Sequence, residues 1–385
     1  MINRAKGGGL PIRRRWPRIV FVVLLGLPIA FLVGIQFIPN RPGRGITKLY
    51  TYRFAATRDR FAFLHYVSGD ERDLIAYDST RNKLTIYRSK SLTIWTLSPN
   101  GSKQGAFLIG CSEGITPDQL RSGQKVKTTL FQCQNEKCSP VFDFDGSIDS
   151  LLDLGEGDMI FIGAKPQILQ RTAPFFPAFS ADFVGYRVFD FYFRTRDSRI
   201  ERITEWRAVF GSASLGDDRI LFNFSPLPGS PTPQPPSYPR RSNIWAAKVT
   251  FDDGVPRLAF DGDRPFIEHG KDYDTKPSIS PDASKTAFLS SSEHTASKGR
   301  RYDVAVVDNA SKDELFTVAP EEGTQLSLPV FVDNDHVRFM SFDGQRYSFR
   351  EISVSAKQEK LLGQVTPADI LHAEVVYLED PQQVH

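Results

Sequence analysis

Three cysteines, three methionines and six histidines are all that this 385-residue chain holds of those types. The thiols are Cys111, Cys133 and Cys138, with no histidine close to them in sequence, so a structural zinc centre lacks a ligand set. Three methionines against thirty phenylalanines point to a rigid aromatic core rather than an adaptable one. There is no Gly-x-Ser-x-Gly elbow, and Gly211-Ser212-Ala213-Ser214-Leu215 does not fit one. No phosphate loop or dinucleotide fingerprint follows a strand-like run. A net excess of positive charge is also missing beyond one end. Six cations (Arg4, Lys6, Arg13, Arg14, Arg15, Arg18) and no acid occupy residues 1–18, while the whole chain carries +3. The remainder is therefore slightly acidic, which is not the footprint of a nucleic-acid binder.

What is present is a β repeat, clearest between Lys276 and Val318. Pro277 to Ser280 reads as a short inner strand ended by a Ser-Pro-Asp turn, with Pro281 presetting φ and Asp282 accepting turn hydrogen bonds. Thr286 to Leu289, Tyr302 to Asp308 and Leu315 to Val318 supply three more strands. One such sheet cannot bury both faces alone. It needs like neighbours on each side, which is the logic of a propeller.

The run PSISPDASKTAFLSSS followed by YDVAVVD resembles the repeat of the TolB-like, WD40-like (PD40-type) propeller proteins, with Ala283 where glycine is usual. Leu97 to Leu108 (LSPNGSKQGAFL) is a second copy. The resemblance implies a six-bladed ring and a periplasmic, protein-binding role. A short linker stands here where TolB-like proteins carry an α/β domain.

Residues 1–18 read as a basic cytoplasmic tail. Ile19 to Ile38 is uncharged and almost wholly apolar, and twenty helical residues rise about 30 Å, enough to cross a bilayer. The cation excess before it places the propeller outside an inner membrane, with the N-terminus in the cytoplasm. The competing reading is a cleaved signal peptide, for which Gly34 to Pro39 is a poor cleavage site. Residues 39–48 form a linker and 49–380 the propeller.

Six blades are expected. The first pairs Phe61 to Val67, Leu74 to Asp78 and Lys83 to Tyr87, and lacks an inner strand; His372 to Leu378 (HAEVVYL) is left over at the other end. Inserting that last segment as the missing inner strand would close the ring and remove exposed edges. A seventh blade would need Tyr50 to Ala55 to begin one of its own.

Two insertions interrupt the repeat between second and third strands. The loop Pro166 to Gly185 clusters Phe175, Phe176, Phe179 and Phe183; Ser225 to Arg241, with Pro233, Pro235, Pro236 and Tyr238, reads as an extended polyproline segment. The aromatic loop packs over a neighbouring blade and the proline loop is a solvated spacer, or one or both of them make the candidate partner-binding surface. Cys133 and Cys138 flank a polar turn at a spacing a disulfide can bridge, or are two free thiols at a hairpin. Asp143 to Asp149 lacks the distal glutamate of a calcium loop and reads, like Asp261-Gly262-Asp263 and Asp333-Asn334-Asp335, as a turn. The proposed inner strands offer Asp149, Asp153, His372 and Glu374 toward the channel, from neighbouring parts of the ring rather than all round it.

The sequence thus predicts an all-β, six-bladed propeller behind one transmembrane helix, with no cofactor and no catalytic or metal-binding residues assigned. The role expected of it is that of a binding or scaffold module for an envelope protein or peptide. The alternative is an enzyme, or a small-molecule or glycan sensor, working in the central channel.

Overall fold

The computed structural model describes residues 53–68, 71–98, 106–113, 122–134, 136–173, 176–185, 188–226, 232, 244–267, 273–291 and 302–378. The predicted tail, membrane span and linker lie outside them. Among the described residues no helix is long and apolar enough to cross a membrane.

Six antiparallel blades follow one another along the chain, each beginning at the inner strand; a single pair, Phe189 opposite Ala208, joins the third and fourth into one eight-stranded sheet. Blade I contains β1 (Phe54–Ala56), β2 (Arg60–Ser68), β3 (Glu71–Asp78) and β4 (Lys83–Arg88). Blade II contains β5 (Thr93–Leu97), β6 (Phe107–Ser112), β7 (Thr128–Gln134) and β8 (Lys137–Phe144). Blade III has β9 (Ser147–Gly155) and β10 (Asp158–Ala164), then a separate hairpin of β11 (Gln167–Ala173) and β12 (Phe176–Gly185), then β13 (Phe189–Arg194) and β14 (Ile200–Arg202). Blade IV has β15 (Ala208–Leu215), β16 (Arg219–Pro226), β17 (Ile244–Asp252) and β18 (Val255–Phe260). Blade V has β19 (Tyr273–Ile279), β20 (Lys285–Ser291), β21 (Tyr302–Asp308) and β22 (Glu314–Val318). In blade VI the inner strand is split into β23 (Gln325–Leu326) and β24 (Val330–Phe331), before β25 (His336–Phe342), β26 (Tyr347–Ser353) and β27 (Gln358–Val365). A short helix α1 (Pro367–Leu371) and β28 (Glu374–Tyr377) end the described chain.

The period-2 pattern of each strand decides what packs where, because alternate side chains leave opposite faces of a sheet. On β2, Phe61 and Phe63 join a core shared with blade VI, while Ala62 and Leu64 join one shared with blade II. The same division recurs round the wheel. Separate buried clusters fill the I–II, II–III, III–IV, IV–V, V–VI and VI–I seams. An open array of six blades would have one seam fewer, so the ring is closed.

Closure is not achieved as the sequence suggests. Blade I already has its inner strand, β1, whose Phe54, Ala55 and Ala56 are buried and divide between the two neighbouring seams. Three residues are too few to show an alternation, which is why the segment escapes a sequence reading. The HAEVVYL segment instead joins blade I at its outer edge, where β28 runs parallel to β4 with Glu374 opposite Thr85 and Tyr377 opposite Arg88. Before it, Thr366 and Asp369 form a reciprocal capping box on α1 with Pro367 in its first turn. Ile370 of this helix is buried in the VI–I seam. The tail therefore spans that seam at the circumference and leaves the axis to β1.

The expected aromatic loop is in its larger part the β11–β12 hairpin, with Leu169 opposite Phe183 and Ala173 opposite Phe176. Cys133 and Cys138 face each other across the β7–β8 turn and are bonded, while Cys111 is a free, buried thiol whose pKa burial pushes up. By loop-closure entropy so short a ring contributes about 2 kcal/mol. Replacing both cysteines by serine is expected to lower stability by that amount. Dithiothreitol should do the same to the native chain; a melting temperature unmoved by reductant would contradict it.

Candidate functional site

The inner strands meet at the axis, where blades come too close for large side chains. A set of serines, each at most 1% exposed, fills this space and ties blade to blade. Ser98 Oγ donates to Leu151 O (2.9 Å), from blade II to III. Ser150 Oγ accepts from Ala213 N (3.1 Å), linking III to IV, and Ser214 Oγ accepts from Ile279 N (3.0 Å), linking IV to V. Ser278 Oγ accepts from Phe331 N (2.9 Å), linking V to VI. Each bond satisfies a buried backbone group that a neighbouring sheet cannot reach, and leaving one unmade would cost about 1–3 kcal/mol.

Charged groups also meet at the axis. Arg53, just before β1, donates through Nη1 to Thr96 Oγ1 of blade II (2.9 Å) and to the backbone carbonyl of Asp149 in blade III. Its Nη2 makes an ion pair with the Asp149 carboxylate. Thr96 Oγ1 in turn donates to Asp149 O (2.5 Å). A single guanidinium thus orients the inner strands of three consecutive blades.

Lys276 approaches from blade V. A bulge between Thr275 and Ser278 breaks the β19–β20 register, and Lys276 stands there at φ 57°, a left-handed conformation costly for a non-glycine residue. Asn223 Oδ1 holds the kink by accepting from Lys276 N (2.9 Å) and Thr275 Oγ1 (3.2 Å). The bulge aims the side chain inward. A Cβ built on Gly211 of blade IV would lie 3.8 Å from Lys276 Nζ, and the ammonium feels both Asp149 and Arg53. It therefore sits among residues of blades I, III, IV and V, which only the axis allows. Burial within the wheel lowers its pKa, with Asp149 opposing and Arg53 adding to the shift. Among the described residues, no hydrogen bond or ion pair reaches Nζ.

Of the four acidic and histidine residues expected at the axis, Asp149 is there. Asp153, also on β9, accepts from Gly155 N at the strand end (2.9 Å). His372 and Glu374 are not at the axis, because the tail runs outside the ring; Glu374 pairs there with Lys83 (2.9 Å), which also binds Glu136 of blade II (2.5 Å). Phe176, Phe179 and Phe183 lie on β12. Phe175, Pro233, Pro235, Pro236 and Tyr238 fall outside the described residues. Arg53, Thr96, Asn223 and Lys276 were not legible as a group. A cation next to an inner strand in two different blades is the trace they leave in the sequence.

A second polar site lies at the VI–I seam, a groove lined by Arg58, Asp59, Val332, Asp333, His336, Arg338 and Glu351. Two pairs of its side chains engage one another, Arg338 with Glu351 (2.7 Å) and His336 with Asp333 (2.9 Å). Among the described residues no group of three or more His, Cys, Asp or Glu side chains is placed to hold a metal ion.

The topology also gives the ring two unlike faces. Successive strands are antiparallel, so every connection between second and third strands lies on the face from which the inner strands start. In blades II to V these connections are long, spanning 113–127, 165–188, 227–243 and 292–301, whereas blades I and VI turn over 69–70 and 343–346. Arg53, Asp149, Gly211 and Lys276 lie before or within the first half or so of their inner strands, toward that same face.

No family model and no curated protein sequence matches this chain. Among solved structures it is similar to TolB from Acinetobacter baumannii, at 13% identity over 91% of this chain and 70% of that one, with a TM-score of 0.44. A Synechocystis apocarotenoid oxygenase mutant aligns at 11% identity, over 87% of this chain and 74% of the other, with a TM-score of 0.41. A Mycobacterium tuberculosis puromycin-hydrolyzing peptidase aligns at 10% identity over 83% of this chain and 45% of its own, with a TM-score of 0.42. Likeness this distant says nothing about activity, and the six-bladed ring rests on the seams and strand order of the chain itself.

Proposed function

We propose that this protein is a membrane-anchored, extracytoplasmic propeller that binds an envelope protein or peptide across one end of its ring. The observation that carries the reading is the asymmetry of the two faces. Four consecutive blades lengthen the same connection, so the additions to the repeat rise from one side of the wheel. Rigid scaffolds commonly present binding segments in this way. Two of these additions hold the Phe-rich and proline-rich stretches, and the starts of the inner strands on the same face carry fixed charge. Anchorage through Ile19 to Ile38 and a short linker would keep that surface within reach of other envelope proteins.

Site-specific photo-crosslinking in intact cells tests this. A benzoylphenylalanine at Phe176 or Phe183 is expected to capture a discrete partner. The same probe at Asp217 or Lys357, in turns on the opposite face, should not. Equal capture from both faces, or from neither, would overturn the proposal. The alternative, a sensor of a small molecule in the channel, draws its support from the Lys276 ammonium at the axis.

A further inference from the structure

We propose that Lys276 and Arg53 form a site for a single carboxylate in the axial channel, supplied by a peptide entering from the face with the long connections. This rests on the partner-binding reading above and names the chemistry the channel selects.

Three features converge on it. First, among the described residues the charged groups brought together at the axis are two basic ones, Arg53 and Lys276, and one carboxylate, Asp149. Arg53 is already committed to Asp149 and Thr96, so its position is set, and Lys276 Nζ is the group left with donors to offer. Second, the lysine is held there at a conformational cost. The bulge and left-handed φ are stabilised by Asn223, and bulges of this kind commonly re-aim a side chain toward a ligand. Third, there is room beside it. Gly211 has no side chain, and a methyl group there would meet Asn223 Cβ (3.4 Å) and Nζ (3.8 Å) at no less than ordinary contact distance, so no side chain of this position crowds the ammonium.

Charge balance selects the class. One surplus positive charge is neutralised by one carboxylate. A phosphate dianion would add an uncompensated negative charge beside Asp149 in a poorly solvated site, where like charges interact strongly. Both an acidic residue or free C-terminus of a peptide and a small carboxylic acid present this chemistry, and of the two the peptide is the one the partner-binding reading supplies.

The test uses the full chain in a non-ionic detergent and two fluorescent hexapeptide probes, identical except for a free α-carboxylate or a carboxamide at the C-terminus. Anisotropy is expected to show the carboxylate probe binding at least about tenfold tighter, the ratio that ~1.4 kcal/mol represents. Lys276→Gln should erase the preference. So should Gly211→Asp, which places a carboxylate of the chain's own within reach of Nζ and serves where Lys276→Gln fails to fold. Unlabelled succinate that displaces the probe in wild type but not in Lys276→Gln would keep the site and transfer it from peptides to small acids. Equal affinity for the two probes, no binding of either, or a preference that survives Gly211→Asp would overturn the site. Partner crosslinks that persist in Lys276→Gln would remove the site while leaving the partner-binding reading intact; succinate binding without any partner would do the reverse.

Discussion

Phe349→Ala is expected to cost about 3–5 kcal/mol of folding free energy, the range for removing a fully buried phenylalanine from a packed core. Phe349 is 0% exposed on β26 of blade VI, and its neighbours belong to blade I. Its ring stacks on Tyr77 with centroids 4.9 Å apart and on Phe61 at 4.7 Å. The seam is shaped to receive them. A Cβ on Gly363 of β27 would fall 2.6 Å from the Tyr77 ring, so Gly363→Ala should also destabilise, by about 1–3 kcal/mol of overpacking. Denaturant titration of both variants measures this. Because the VI–I seam closes the wheel, a broadened or two-step transition in Phe349→Ala would show that the blades lose cooperativity there. A loss under about 1 kcal/mol would mean that closure rests elsewhere, for instance on β28.

The second large effect is expected at Arg338. Its side chain is 9% exposed; it pairs with Glu351 directly across the sheet, donates to the backbone carbonyls of Thr57 (2.7 Å) and Arg58, and lies over the Phe61 ring at 5.0 Å. One guanidinium thus binds the β1–β2 turn of blade I to blade VI. Arg338→Met leaves the half-buried Glu351 carboxylate and two carbonyls without their donor. Breaking a buried pair from one side costs about 3–5 kcal/mol. Adding Glu351→Leu removes the bare carboxylate and should recover a substantial part of the loss. A double-mutant cycle with coupling within about 0.5 kcal/mol of zero would show that the two side chains do not act together.

Much of the wheel was legible because its information is local. The turn Ser280-Pro281-Asp282 forms as its residues suggest, with Asp282 accepting from Ser280 Oγ (2.7 Å) and Ser284 N (3.1 Å). Asp333 likewise caps its turn through Asp335 N (2.8 Å) and His336 N (2.7 Å). What escaped was short or non-local. Phe54–Ala56 is too brief for a pattern, and the tail segment offers the same alternation whether it sits at the axis or the rim. Its partly exposed edge position, with Val375 37% and Tyr377 50% exposed, follows from β1 already occupying the centre. Helix α1 was readable in principle, since Thr366-Pro367-Ala368-Asp369 is a capping box with proline in the first turn.

The sequence by itself determined most of the strands, their turns and the number of blades. Period-2 alternation and turn residues act over a few positions, and no such sheet can bury both faces without neighbours. Tertiary structure alone decided how the ring meets itself and what stands at its centre. Arg53 and Asp149 are 96 positions apart, and Lys276 lies far beyond both. They become one electrostatic group because closure brings the starts of separate inner strands to a common axis, and no local pattern encodes that meeting.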